Sequence, residues 1–147
     1  MFRKTLASLL VCLLFLASSI GSSQMAYAQA PSGEWELFTK EEGGYDTYVD
    51  PNSITRDGNF AGVWVLSDYS EVQQIVPFMS VVVYYEYDCR HGKIRSQQYR
   101  EYSGNMGSGD LIDSTIGPSD WLDISTHPQS DFVDQLRNSV CYSRDTP

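Results

Sequence analysis

Residues 79–102 show the clearest pattern in the chain, because β-prone residues alternate on both sides of a turn signal at His91 and Gly92. This pattern predicts a β-hairpin. If His91 and Gly92 form a two-residue loop, the cross-strand pairs are Arg90 with Lys93, Cys89 with Ile94, Asp88 with Arg95, Glu86 with Gln97, and Tyr84 with Tyr99.

The predicted register gives the hairpin one dry face and one wetter face, because successive side chains of a strand point to opposite sides. The dry face carries Val81, Val83, Tyr85, Tyr87, Cys89 and Ile94. The wetter face carries Ser80, Val82, Tyr84, Glu86 and Asp88 with Arg95, Gln97 and Tyr99. A slip of one residue would turn Glu86 and Asp88 into the core, so burial is expected to hold the register.

Other apolar patterns predict further strands. A short strand is expected at residues 45–50, ended by Pro51, which cannot donate to a β-ladder. An Asp-Gly turn at residues 57–58 precedes a long strand over residues 60–69. That strand is apolar on both faces near its middle, which predicts that another segment covers its second face.

Two segments are predicted to lack regular structure. Residues 29–33 are small and polar, which is typical of a short disordered lead-in. Residues 103–110 contain three glycines, which indicates a loop with unusual backbone angles. Neither a G-x-G-x-x-G motif nor a lysine-terminated P-loop is present, so nucleotide binding is not expected.

The last pattern has the period of a helix. From Ser130 onward, apolar residues recur at near-helical spacing, namely Phe132, Val133, Leu136 and Val140. The predicted helix is the natural cover for the dry face of the hairpin. Several strands followed by one C-terminal helix predict an α+β domain.

The first 28 residues have the order of parts of a secretory signal peptide. A basic start is followed by an apolar run over residues 6–20 and by Ala26-Tyr27-Ala28. Cleavage after Ala28 would leave residues 29–147 as one exported domain, periplasmic or secreted. Cys12 follows Val11 and precedes four apolar residues, which is not the setting of a lipid-attachment cysteine. The outer-membrane surface is therefore the less favoured location.

The charge balance narrows the class of partner. Removing residues 1–28 takes two of the 10 basic residues and none of the 19 acidic ones, so the formal charge falls from −9 to −11. Such an acidic domain disfavours nucleic acids and anionic membrane surfaces as partners. A basic protein or a cation suits it better, although acidity also serves simply to keep an exported domain soluble.

Cys89 and Cys141 are the two cysteines that remain after cleavage. In an exported chain such a pair most simply forms one disulfide. Zinc binding by these thiols with His91 and His127 is a poor alternative, because neither Cys-x-x-Cys nor His-x-x-x-His spacing is present.

The chain shows no catalytic constellation that sequence motifs would reveal. Its only histidines, His91 and His127, lie at the predicted hairpin tip and near the start of the helix. We therefore expect no cofactor and no catalysis, and a small periplasmic enzyme is the alternative interpretation. Its sign would be a concave pocket that gathers a histidine with two carboxylates.

The 10 tyrosines suggest recognition, because clustered tyrosines with polar neighbours are common at binding surfaces. Tyr84, Tyr99 and Glu86 on the wetter face are the candidate contact residues. Ordinary cross-strand packing is the competing explanation for the two tyrosines.

The order of several short segments resembles the surface-adhesin protein E family of bacterial exported proteins. These segments are residues 48–54, 63–69 and 80–89, then Arg95, Tyr102, residues 106–109, 121–124 and 136–141. The resemblance covers nearly all of the chain after the predicted cleavage site.

The resemblance implies an antiparallel sheet of about six strands with a C-terminal helix on one face, joined by a disulfide between Cys89 and Cys141. It also implies a binding protein that contacts host matrix, plasma or envelope proteins through its sheet face. A homodimer paired through an edge strand is a further alternative, which the oligomeric state would reveal.

Overall fold

A computed structural model gives the fold and describes residues 28–40, 44–73 and 77–142. The predicted signal peptide, apart from its last residue, lies outside the described residues. The described residues form strands β1 (Glu36–Thr39), β2 (Tyr45–Asp57), β3 (Phe60–Tyr69), β4 (Ser80–Asp88), β5 (Lys93–Tyr102), β6 (Leu111–Ile116) and β7 (Leu122–Asp123) and helix α1 (Ser130–Tyr142). Short 3₁₀ turns lie at Asn105–Gly107 and Ile124–Thr126.

The strands form one antiparallel sheet in the order β1-β2-β3-β4-β5-β6. The short strand β7 also pairs with β5, beside Lys93 and Ile94. Strands β1 to β6 therefore each lie next to their neighbours in sequence, as expected when short connections join antiparallel strands, and β7 is the exception. One helix on an antiparallel sheet confirms the predicted α+β class.

Helix α1 covers the end of the sheet that contains the β4–β5 hairpin loop. Its apolar stripe packs on that end, which confirms the predicted helix and its inward face. The buried core of this helix-side face consists of Val49, Ala61, Val63, Val65, Tyr87, Ile94, Ile124, Val133, Leu136 and Val140.

The predicted disulfide joins Cys89, at the start of the hairpin loop, to Cys141 near the end of α1. The two Cα atoms are 5.8 Å apart, and the two cysteines are 52 positions apart in sequence. The hydroxyl of Tyr142 also donates a hydrogen bond to the carbonyl of Cys89, at 2.8 Å. The last turn of the helix is thus fastened to the hairpin by a covalent bond and a hydrogen bond.

The opposite face of the sheet has a second, smaller core. The prediction that this face is the wetter one is therefore wrong for its centre, which is buried. Trp64, Leu66, Val82 and Tyr84 are buried there, with Trp35, Tyr48 and Tyr102 packed around them. This confirms that β3 is covered on both faces.

Part of the cover comes from residues 28–35, which we call the N-terminal strap. The prediction that residues 29–33 are disordered is therefore wrong. The backbone N–H and hydroxyl of Ser32 donate to the buried carboxylate of Asp50, at 2.5 and 2.8 Å. The indole N–H of Trp64 donates to the carbonyl of Gln29 at 2.5 Å. These bonds hold the small polar part of the strap against the sheet, and Trp35 at its end packs against the second core.

The glycine-rich loop of residues 103–110 covers the other part of this face. Gly107 lies against Val82 and Leu66 with a φ of +71°, which only glycine adopts easily. The hydroxyl of the buried Ser80 donates to the carbonyl of Gly104 and accepts the N–H of Gly107, at 2.6 and 2.9 Å. The unusual backbone predicted for this loop is confirmed, and its role is to close the second core.

The predicted register of the hairpin is wrong. The loop contains four residues, 89–92, so Asp88 pairs with Lys93 and Glu86 with Arg95. A bulge then shifts the register, and Tyr84 pairs with Gln98 while Val83 pairs with Tyr99. Because the bulge adds one residue to β5, Tyr99 points to the helix side and Tyr84 points to the second face.

The predicted end of the second strand at Pro51 is also wrong. Strand β2 continues to Asp57, with a register break between Asp50 and Thr55 that absorbs the proline. The hydroxyl of Ser53 bridges this break, since it donates to the carbonyl of Asp50 and accepts the N–H of Trp64, at 2.7 and 2.9 Å.

Candidate binding site

A cleft of about 380 Å³ lies on the helix side of the sheet, where α1 leaves the far end of the strands uncovered. Residues from five strands and from the segment before α1 line it. They are Tyr45, Ser67, Tyr69, Phe78, Val81, Val83, Tyr85, Ile94, Arg95, Ser96, Tyr99, Ser119, Leu122, His127 and Gln129. We call this the tyrosine cleft.

The strand register determines how the tyrosine cleft is built. Ser67 lies opposite Val81, which gives the centre of the sheet a floor of small side chains. Aromatic rings form one wall, where Tyr69 contacts Tyr45 at 5.0 Å and Phe78 at 5.3 Å between ring centroids. Small residues in the middle and large rings at the side produce a concave surface.

The segment before α1 closes a third side of the cleft. The side-chain amide of Gln129 donates a hydrogen bond to the hydroxyl of Tyr45, which joins this segment to the aromatic wall. The backbone N–H of Gln129 donates to Nδ1 of His127 at 3.1 Å. That bond fixes the orientation of the imidazole ring beside the cleft.

Tyr99 forms the wall on the β5 side. Its hydroxyl donates to the carboxylate of Glu101, which is only 7% exposed. Desolvation raises the pKa of the Tyr99 phenol, and the hydrogen bond and charge of Glu101 raise it further. The tyrosine is therefore held in its neutral, donating form beside a buried carboxylate.

Tyr85 and Tyr69, which also line the cleft, have raised pKa values as well. Desolvation raises the pKa of Tyr85 to about 12, with smaller contributions from Tyr45 and Tyr69. Desolvation, Tyr45 and Glu101 raise the pKa of Tyr69. At neutral pH these phenols offer ring faces and hydroxyl groups to a ligand, which suits recognition more than proton transfer.

The three predicted contact residues are not brought together as predicted. Tyr84 is only 9% exposed, and its hydroxyl shares a hydrogen bond of 2.7 Å with Thr55. Its ring lies 5.3 Å from that of Trp64 and over Gly62, where a Cβ atom would be 2.1 Å from the Tyr84 hydroxyl. The expected exposure of Tyr84 and its pairing with Tyr99 are thus wrong, because the two rings lie on opposite faces.

Glu86 is half-buried and its carboxylate is engaged within the sheet. Oε2 accepts from Nε and Nη2 of Arg95 and from the side-chain amide of Gln97, each at 2.6 Å. Of the three predicted residues, only Tyr99 lines the tyrosine cleft. Sequence reasoning missed Tyr45, Tyr69 and Phe78, which the β2–β3 register and the chain reversal before β4 bring together.

The two histidines have separate surroundings. His91 is exposed at the hairpin loop, where Nδ1 lies 2.8 Å from the carboxylate of Asp88. His127 lines the tyrosine cleft, and no carboxylate is among the described residues that line it with His127. The described part of the chain also has no group of three His, Cys, Asp or Glu residues that could hold a metal ion.

A family model described as surface-adhesin protein E matches residues 35–142, which include every strand and the helix. The chain belongs to the surface-adhesin protein E family. Membership makes it a surface-adhesin-like protein. No curated protein sequence matches the chain.

Solved structures of protein E from Haemophilus influenzae resemble this family member. Crystal form II has a TM-score of 0.51 and 15% identity, and the match covers 74% of this chain and 97% of that chain. The selenomethionine form has a TM-score of 0.49 and 15% identity, with 71% and 92% covered. At this level of identity the likeness to crystal form II shows a shared fold.

No helix in the described part of this protein E family member is long and apolar enough to cross a membrane.

The edge strand β6 exposes apolar side chains to solvent. Strand β6 is exposed along its whole length, including the apolar side chains of Leu111, Ile112 and Ile116. An exposed apolar edge strand can pair with another chain.

Alkaline pH is expected to unfold the protein between pH 10 and about 12. Tyrosine in the unfolded chain ionises near pH 10, whereas Tyr85 in the folded protein does so near 12. The stability that the neutral Tyr85 phenol contributes is fully present below pH 10. It is lost as the pH rises through the pKa of Tyr85 in the folded protein. Tyrosinate absorbance and circular dichroism, followed together, measure the effect.

The matched variant for this titration is Tyr85→Phe. Because it removes a phenol that must ionise, its midpoint of alkaline unfolding is expected at higher pH than that of the wild-type protein. An unchanged midpoint, or tyrosines that all ionise near pH 10 in a folded protein, would contradict the assignment.

Proposed function

We propose that this chain is an exported binding protein of the envelope or the extracellular space, released by cleavage after Ala28, that captures a protein partner in the tyrosine cleft without catalysis. The partner is a protein of the host matrix, plasma or bacterial envelope. Family membership supports the adhesive role, and the acidic composition favours a partner that is not a nucleic acid.

The observation that carries the proposal is the composition and shape of the cleft. Four tyrosines and a phenylalanine surround about 380 Å³ of concave surface, with serine hydroxyls between them. Tyrosine is enriched at protein interfaces because it combines a large apolar ring with a hydrogen-bonding hydroxyl. The cleft offers this combination in a preformed shape, which lowers the ordering cost of binding.

Replacing Tyr99 by alanine is expected to reduce the affinity for the partner by about thirtyfold, since a hot-spot aromatic residue at an interface contributes about 2 kcal/mol. Immobilised wild-type domain and the variant are exposed to serum and to envelope extract. Bound proteins are quantified by mass spectrometry, and the affinity of each captured protein is then measured directly.

The matched control is Tyr142→Ala, because Tyr142 is also a tyrosine but is exposed at the far end of α1. It loses the hydrogen bond to the Cys89 carbonyl but keeps the disulfide that holds α1, so it is expected to capture the same proteins as the wild type. Circular dichroism and thiol counting confirm that each variant is folded with its disulfide formed. Equal capture by wild type and Tyr99→Ala, or no capture above the blank by either, would refute the proposed site.

Self-pairing through β6 is the second candidate function, since the exposed apolar side chains of this edge strand favour it. A homodimer of this kind would leave the tyrosine cleft on a different part of the surface. Its formation would change the sedimentation coefficient with protein concentration and would not depend on Tyr99.

A further inference from the structure

Glu101 is a buried carboxylate that has no counter-charge among the residues that the structure describes. It is 7% exposed, and its hydrogen-bond partner is the neutral hydroxyl of Tyr99. Among the described residues Glu101 takes no part in the ion pairs of His91 with Asp88, Arg95 with Glu86 and Arg137 with Asp134, and it forms no other. Buried charges in proteins are normally paired, because burying an unpaired charge lowers the stability of the fold by roughly several kcal/mol.

A second carboxylate lies beside Glu101. Asp113 on β6 is its direct cross-strand partner, so the two side chains project from the same face of the sheet. Like charges in this position repel each other. Both contribute to raising the pKa of Tyr99, Glu101 more strongly than Asp113, after the larger effect of desolvation. The negative field of the pair therefore reaches the wall of the tyrosine cleft.

The cleft does not supply the missing cation from its own lining. Arg95 is held by Glu86, and its guanidinium stacks 4.3 Å from the ring centroid of Trp121. His127 accepts the backbone N–H of Gln129 at Nδ1. Both basic residues that line the cleft are thus engaged, and no ion pair compensates Glu101 or Asp113 within the described part of the chain.

The walls of the cleft are suited to a cation. The electron-rich faces of aromatic rings attract ammonium and guanidinium groups within about 6 Å of the ring centroid. Tyr69, Tyr85 and Tyr99 line the same cleft, next to the hydroxyls of Ser67 and Ser96, which can accept hydrogen bonds from a guanidinium. A volume of about 380 Å³ accommodates one long basic side chain with its flanking backbone.

We propose that the tyrosine cleft takes an arginine or lysine side chain from a basic segment of the protein partner. The tyrosine rings contact the cationic group, and Glu101 with Asp113 supplies the opposite charge through the Tyr99 hydroxyl. The formal charge of −9 on the whole chain draws such a segment toward the protein. This inference rests on the proposed function, because it names the chemistry of the partner that the cleft captures.

The test compares two peptides that differ only in charge. One is an acetylated Gly-Arg-Gly amide, and the other carries citrulline, which keeps the shape of arginine and removes its charge. Each is titrated into the full domain, and binding is followed by the shifts of backbone amide signals in NMR spectra. The arginine peptide is expected to bind at least about tenfold more tightly, with signals of β4 and β5 shifting and with weaker binding at high salt.

The protein variant for this test is Glu101→Gln, which keeps an acceptor for the Tyr99 hydroxyl and removes the buried charge. It is expected to lower the affinity for the arginine peptide by about tenfold, to the level of the citrulline peptide. The control is Glu36→Gln, which makes the same change at an exposed position on the outer strand β1. It is expected to change the affinity by less than about twofold, because exposed charges are screened.

Each outcome decides between the two proposals. Equal affinity for the two peptides, or no binding of the arginine peptide, overturns the inference of a cationic ligand. If Tyr99→Ala still abolishes capture in that case, the proposed function stands without it. Should Glu101→Gln fail to fold, the comparison of the two peptides on the wild-type protein tests the inference alone.

Discussion

Replacing Cys89 and Cys141 together by serine is expected to lower the free energy of unfolding by about 4 kcal/mol. The disulfide links two cysteines that are 52 positions apart. The chain-entropy model assigns about 4 kcal/mol of stabilisation to a closed loop of this length. Denaturant unfolding of the wild-type and variant proteins measures the difference. The midpoint should fall while the dependence on denaturant rises, because the unfolded variant is less compact.

The reduced wild-type protein is the matched control, since it lacks the bond but keeps every side chain. It should have nearly the stability of the double serine variant, and the variant should be insensitive to reductant. A loss of less than about 1 kcal/mol would contradict the expectation. It would mean that the apolar stripe of α1 holds the helix on the sheet without help from the covalent bond.

The same bond bears on the tyrosine cleft. Residues 127–129 lead into α1 and form the third side of the cleft, and Gln129 is bonded to Tyr45. If α1 detaches after reduction, this side of the cleft loses its support. Partner capture should therefore weaken under reducing conditions even where the sheet remains folded.

Strand β3 and helix α1 could be predicted because local patterns specify them. The turn before β3 needs a positive φ at Gly58, and the Asp-Gly pair at residues 57–58 predicts such a turn. The bounds of β3 agree with those predicted from the apolar run. The stripe of Val133, Leu136 and Val140 has the period of a helix and is buried. In both cases the information lies within about ten consecutive residues.

The hairpin register could not be predicted from alternation alone, because two irregularities separate the true pairing from the simple one. The carboxylate of Asp88 accepts the backbone N–H of His91 at 3.0 Å, which stabilises a four-residue loop. Asp88 directly before that loop and Gly92 at its end, with a φ of +62°, are turn-favouring residues that the prediction of a two-residue loop did not use. The bulge near Gln98 has no comparable signal, and it is the bulge that turns Tyr99 toward the cleft.

The second core could not be predicted from the sequence, because polar residues hold the segments that cover it. Asp50 and Ser80 are fully buried, and each fixes a covering segment by hydrogen bonds: Asp50 holds the N-terminal strap and Ser80 holds the glycine-rich loop. Reading polar side chains as solvent-facing assigns both to the surface. The tyrosine cleft could not be predicted either, because its shape depends on how much of the sheet α1 covers, and the local sequence does not specify this.

Replacing Trp64 by alanine is expected to lower the free energy of unfolding by about 3–5 kcal/mol, the usual range for a fully buried tryptophan. Trp64 contacts Tyr84, lies 5.2 Å below the guanidinium of Arg100 and donates a hydrogen bond to Gln29. Its loss would leave a cavity in the second core and release the strap at Gln29. Denaturant unfolding measures the stability, and hydrogen exchange of the strap measures its release.

The control is Trp121→Ala, since Trp121 is half-buried and contacts Phe60 and Arg95 outside the second core. It is expected to cost about 1–2 kcal/mol, from partial burial and one cation–π contact. Trp64→Phe separates the two roles of Trp64, because it keeps most of the ring and removes the bond to Gln29. It should cost about 1–2 kcal/mol and speed exchange in the strap. Equal losses for Trp64→Ala and Trp121→Ala would mean that the second face is an open surface, in which case Tyr84 would again be available for contact with a partner.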